Sequence, residues 1–114
     1  MISGMHLSRL GDGAVLLEPG GALDPSRPDN YLEPLIGFLQ QRNERRLIYD
    51  LNEVAVIDPV YFHWLSRLAD ACRIVGVDMV VANMRPAAAY ALAVELDRDP
   101  PFICALDVDR ARGR

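Results

Sequence analysis

The second half of the chain alternates two kinds of segment, and that alternation dictates how its strands must pair. Leu47 to Leu51, Val77 to Ala82 and Phe102 to Leu106 are short apolar runs suited to buried strands. Between them lie longer segments with helical spacing, one opening at Asp58-Pro59 and one at Pro86. A strand separated from the next by a helix cannot fold back as a hairpin. It crosses over and runs parallel, with a right-handed connection. The first half differs. Met5 to Leu10 and Ala14 to Glu18 are separated only by Gly11-Asp12-Gly13, a strong turn signal, so they form an antiparallel hairpin. The result is an α/β fold with a mixed sheet: an N-terminal hairpin, then parallel βαβαβ, with helices mainly on one face. A chain of 114 residues, 51% of them hydrophobic, makes one domain over 1–114 with a core that needs neither disulfide nor metal.

The helices carry their own punctuation. After the loop "PGGALDPSRPDN", within which "GALD" could prolong the strand edge, Leu32, Leu35, Ile36 and Leu39 fall on one helical face. Pro34 is tolerable only in the first turn, which places the helix start near Asn30 or Tyr31. Arg45 and Arg46 then suit its C-terminal end. In the next helix Asp58 takes the N-cap and Pro59 the first helical position. Tyr61, Leu65, Leu68, Cys72 and Val75 make the inner stripe to about Val75, and His63, Ser66, Arg67, Asp70 and Arg73 the outer face. Gly76 closes it. Ala89, Leu92, Ala93 and Leu96 give the inward face of the third helix. "DVDRAR" forms a last helical turn.

Composition excludes several function classes. The net charge of -4 leaves no basic stripe for a nucleic acid. No apolar run approaches the ~20 residues of a membrane span, and "MISGMHLSRL" does not have the pattern of a signal peptide. Cys72 and Cys104 fit no zinc or redox spacing, so both are read as reduced core residues of a cytoplasmic protein. His6 and His63 share no metal-ligand spacing with a carboxylate or cysteine, so no metal is expected. "GDG" and "PGG" are not phosphate loops, and a chain without lysine has no P-loop lysine. No cofactor is expected.

Asp50 and Asp58 are the one tempting carboxylate pair, since both could face one rim of the sheet. The simpler reading, a strand-end anchor plus an N-cap, is favoured because no third polar group converges on them. Nothing marks an enzyme. The aromatic start of the helix is more informative. Pro59, Val60 and Phe62 lie outside the inner stripe or on its edge, beside His63. Such a group reads either as a contact patch or, for Phe62, as packing beneath the preceding loop.

The stretch "LIYDLNEVAVIDPVYFHWLSRLADACRIVGVDMVVANMRPAAAYALAVEL" resembles the STAS domain of anti-sigma factor antagonists. Asp50, Asp58 and Gly76 stand at the family's matching positions, and "GALD" is similar to its loop after the second strand. "RPAAAYAL" and "CALDVDRA" are closest to the stressosome scaffold branch. The resemblance implies a partner-switching module, in which a GHKL-type serine kinase phosphorylates the serine after the second aspartate. Here that acceptor position is Pro59, and Asn52 replaces a serine common in the preceding loop. The chain has four serines and no threonine. Ser26 is the nearest surviving hydroxyl in the "GALD" loop. Ser66 lies about two turns along the helix, ~10 Å from the acceptor position.

The resemblance therefore implies a regulatory interaction module that is silent at the usual site. Its partners would be a GHKL-type serine kinase or anti-sigma factor and other STAS-domain proteins, as homo- or hetero-oligomers. The implied interface comprises Asp58, Pro59, Val60, Phe62 and His63, with Gly21, Leu23 and Asp24. Two other classes are open: an accessory STAS subunit of a membrane transporter, and a small-ligand-sensing STAS domain.

Overall fold

The computed structural model describes residues 2–95 and 100–113. Strands β1 (Met5–Gly11) and β2 (Ala14–Pro19) form the hairpin. A 3-10 turn at Pro28–Asn30 leads into α1 (Leu32–Gln41). Then follow β3 (Arg46–Asp50), α2 (Pro59–Ile74), β4 (Asp78–Ala82), α3 (Pro86–Glu95), β5 (Ile103–Ala105) and α4 (Val108–Arg112). The sheet order is β1-β2-β3-β4-β5, antiparallel between the first two strands and parallel thereafter. The hairpin turn takes Gly11, Asp12 and Gly13 through positive φ (85°, 57° and 80°). Glycine and aspartate accept that region more readily than branched residues.

Strand alternation divides the sheet between two cores. Val15, Leu17, Leu47, Tyr49, Met79 and Val81 share the larger core with Leu35, Leu39, Leu65, Leu68, Cys72, Ala88 and Leu92 of the three long helices. Ala14, Ile48, Val80 and Ala82 pack on the other face with Ala111 of α4. The central strands β3 and β4 are thus covered on both sides, which is why they read as continuous apolar runs. Gly76, at φ 78°, closes α2. Its N–H donates to the Arg73 carbonyl at 3.2 Å, and Val77 N–H donates to the Cys72 carbonyl at 2.8 Å. These paired bonds satisfy the helix's last carbonyls, as the glycine signal predicts.

Several local expectations are corrected. "GALD" does not extend a strand: β2 ends at Pro19, and a turn bonded from Leu23 N–H to the Gly20 carbonyl follows. Helix α1 stops at Gln41, so Arg45 lies in the connection and Arg46 opens β3. Trp64, left out of the inner stripe, is fully buried, whereas Tyr61 is only half-buried. In α3 it is Ala88 and Leu92 that are buried, while Ala89 and Ala93 are exposed. An alanine-rich helix carries no contrast in side-chain size to reveal its phase. Leu96 lies outside the described residues. Cys104 is exposed, because β5 is the outer strand of its side of the sheet. Cys72 is buried, and that burial pushes its thiol up to about 12.

Candidate functional site

The residues singled out from the sequence gather mainly where β3 passes into α2. Asp50 ends β3, and its Oδ1 accepts the Asn52 N–H and the Asn83 side-chain amide, each at 2.9 Å. Arg85 adds a bond from its guanidinium to the Asn52 carbonyl at 3.2 Å. Asp50 therefore ties together the C-terminal ends of the neighbouring parallel strands β3 and β4. The anchor reading accounts for it, and Asn83 is a partner that the sequence did not mark.

Asp58 is the N-cap. Its backbone is extended (φ -88°, ψ 176°), and its Oδ1 accepts the Tyr61 N–H at 2.8 Å. Pro59 occupies the first helical position, where its missing N–H leaves no bond unmade. Pro59 and His63 are exposed one turn apart. Val60 between them is 46% exposed, and Val56 in the approach loop is 72% exposed. Val56 is an addition to the sequence-derived group. Phe62 differs from these. It is partly buried and packs edge-on against Phe102, ring centroids 6.1 Å apart. It thus packs toward the segment entering β5.

Behind this surface is a hydrogen-bonded aromatic cluster. Trp64 donates its indole N–H to the Tyr49 hydroxyl at 2.8 Å, and that hydroxyl meets the Tyr61 hydroxyl at 2.7 Å. Burial raises the Tyr49 phenol well above its ordinary value, with the neighbouring Tyr61 adding to the effect. Burial also raises Tyr61. A neutral, fully partnered cluster at this depth fixes the rotation of α2 against β3.

The loop after β2 reaches α2 through Tyr31. The Asp24 N–H donates to the Tyr31 hydroxyl at 2.9 Å, and the Tyr31 ring lies edge-on to Trp64 at 5.6 Å. Asp24 Oδ1 also accepts the Ser26 hydroxyl at 2.6 Å and the Ser26 N–H at 3.0 Å, which hold its carboxyl below the usual range. Gly21 is exposed, while Leu23 is half-buried against the core. Of the two hydroxyls that could replace the missing acceptor, Ser26 is exposed. The Ser66 hydroxyl is buried, with no hydrogen-bond partner among the described residues. Among those residues no group of three or more His, Cys, Asp or Glu comes together, and no helix is long and apolar enough to cross a membrane.

Three comparisons bear on this arrangement. A family model described as STAS domain matches residues 9–97. The RsbT co-antagonist protein RsbRB of Bacillus subtilis (strain 168) is 30% identical over 90 residues, which is 79% of this chain and 32% of that protein's length. Among solved structures, a variant of Moorella thermoacetica RsbS superimposes with a TM-score of 0.77 at 20% identity, covering 97% of this chain and 93% of that one. A structure described as the molecular architecture of the stressosome, a signal integration and transduction hub, gives 0.79 at 17% identity, covering 95% and 93%. At these identities the structural likenesses establish the shared fold.

Proposed function

Because the chain belongs to the STAS-domain family, we propose that it is a non-enzymatic regulatory interaction module of the stressosome-scaffold kind. Its partners are a GHKL-type serine kinase or anti-sigma factor and other STAS-domain proteins. It docks through the mouth of α2, with Asp58, Pro59, Val60 and His63 at the surface and Phe62 bracing them. Gly21, Leu23 and Asp24 contribute from the loop joined to α2 through Tyr31.

The observation that carries this reading is the helix start, whose exposed residues Pro59, Val60 and His63 carry no hydroxyl. Asp58 caps α2 and Pro59 begins it, which supports reading position 59 as an acceptor position without a hydroxyl to modify. A phosphate at that position would add close to two negative charges beside the Asp58 carboxylate and at the positive end of α2. Proline there removes the charge switch and leaves an apolar contact surface that is permanently available. The module then acts as a constant docking partner whose occupancy follows the state of its neighbours.

The test is capture of the cognate kinase or anti-sigma factor by the wild-type chain and by Val60→Asp and Val56→Asp. Both positions are exposed, so both variants fold, and the reading requires that capture be lost. Capture at the wild-type level by both would remove the α2 mouth as the docking surface.

A further inference from the structure

The helix layer stops short of the sheet's outer edge. Strand β1 is the last strand on its side, and Met5 and Leu7 belong to its helix-covered face. Between them and α1 runs an open groove of about 490 Å³. Its opposite wall is Pro34, Gly37, Phe38 and Gln41, the i, i+3, i+4 and i+7 positions of a single helical stripe. Arg42 stands at the end of that stripe, its guanidinium carbon 4.0 Å over the Phe38 ring. The lining contains no carboxylate, and Arg42 forms no ion pair among the described residues.

Gly37 distinguishes this groove from a packing defect. Glycine inside a helix is unfavourable relative to alanine, and a close neighbour usually accounts for it. Here a Cβ at position 37 would meet nothing within 4 Å. Among the described residues nothing requires the glycine, and the space it leaves opens into the groove. Phe38 beside it remains only half-buried. The result is a trough with apolar walls of Met5, Leu7, Pro34 and Phe38, widened at Gly37, with the polar Gln41 and the Arg42 cation toward one end.

We propose that this groove is a binding site for an unbranched aliphatic carboxylate. Its chain lies over Gly37, between Leu7 and Phe38, and its carboxylate pairs with Arg42. The volume falls within the roughly 300–1,000 Å³ of ligand clefts. Chain burial supplies the affinity, while the planar guanidinium donates two parallel hydrogen bonds to the carboxylate and selects the anion. The site is on the edge strand and does not depend on the docking role of the α2 mouth.

The full chain is titrated with hexanoate, octanoate, decanoate and 1-octanol below micelle-forming concentrations, and backbone amide NMR shifts are followed. Saturable shifts are expected at Leu7, Gly37 and Phe38. Affinity should rise about fourfold per added methylene until the groove is full. Octanoate should bind about tenfold more tightly than 1-octanol, a preference that Arg42→Gln removes. Gly37→Leu should abolish octanoate binding while keeping a Tm at or above that of the parent chain, since its side chain enters open space and favours the helix. Shifts scattered over the surface, or octanoate binding unchanged in Gly37→Leu, would overturn the assignment. So would self-association of the chain that Gly37→Leu abolishes, which would give the groove to a second copy.

Discussion

Trp64 donates its indole N–H to the hydroxyl of Tyr49 at 2.8 Å, joining α2 to the central strand β3 from wholly buried positions. Tyr49→Phe removes the acceptor and leaves the indole N–H unpaired in the core. The expected cost is about 1–3 kcal/mol, because an unsatisfied buried donor loses its full desolvation penalty. Urea unfolding should show this as a lower midpoint with an unchanged slope.

The tyrosines of this cluster and the buried Cys72 thiol make stability fall at alkaline pH. Tyr49, Tyr61 and Cys72 all bind their protons more tightly when folded, chiefly through burial. For groups whose folded pKa is raised, stability is fully present below the unfolded value and is lost as pH rises through the folded one. Cys72 therefore begins to subtract above pH 9.0, its ordinary value, and continues to about 12. The tyrosines subtract from above 10.0. Tm measured from pH 7 upward should fall across this window, and Cys72→Ala should flatten its first part.

Asp58 contributes to the fold whatever docks on it. Asp58→Ala leaves the Tyr61 N–H without its acceptor and should cost about 0.5–2 kcal/mol, whereas Asp58→Asn should be close to neutral. Thermal melts of the two variants separate capping from charge: equal losses would show that the carboxylate's charge, and not its hydrogen bond, is what α2 uses.

Phe62 requires a different treatment from its neighbours. Its edge-on contact with Phe102 makes Phe62→Asp a core substitution, so that variant should lower Tm by several degrees. Val60→Asp and Val56→Asp should leave Tm within about a degree of the parent, since surface changes are usually within ±0.5 kcal/mol. Loss of partner capture in Val60→Asp at unchanged Tm is thus evidence about docking, and loss in Phe62→Asp is not.

Much of this was legible in the sequence because the chain marks its boundaries with strong local chemistry. Asp58-Pro59 starts a helix, Gly76 ends it, and Gly11-Asp12-Gly13 turns a hairpin, each through backbone constraints that tertiary packing did not override. The helical period that exposed Leu65 and Leu68 also reaches Trp64, three residues from Tyr61, so that anchor was readable. The Asn83–Asp50 bond was not, since it joins the last residue of β3 to the residue just after β4, and only the folded sheet sets the register that brings them together. The phase of α3 was hidden by its run of alanines. The groove beside β1 depends on how far α1 reaches toward the edge strand, and no periodicity records that distance.

The central claim is that the α2 mouth keeps the shape of a phospho-acceptor site without being one. Intact-mass measurement after incubation with the cognate GHKL-type serine kinase and ATP tests it most directly, using the wild-type chain and Pro59→Ser side by side. The wild-type mass should be unchanged, and Pro59→Ser should gain one phosphoryl group at position 59. A phosphoryl group on the wild-type chain, at the exposed Ser26 or any other residue, or a Pro59→Ser chain left unmodified, would contradict the account.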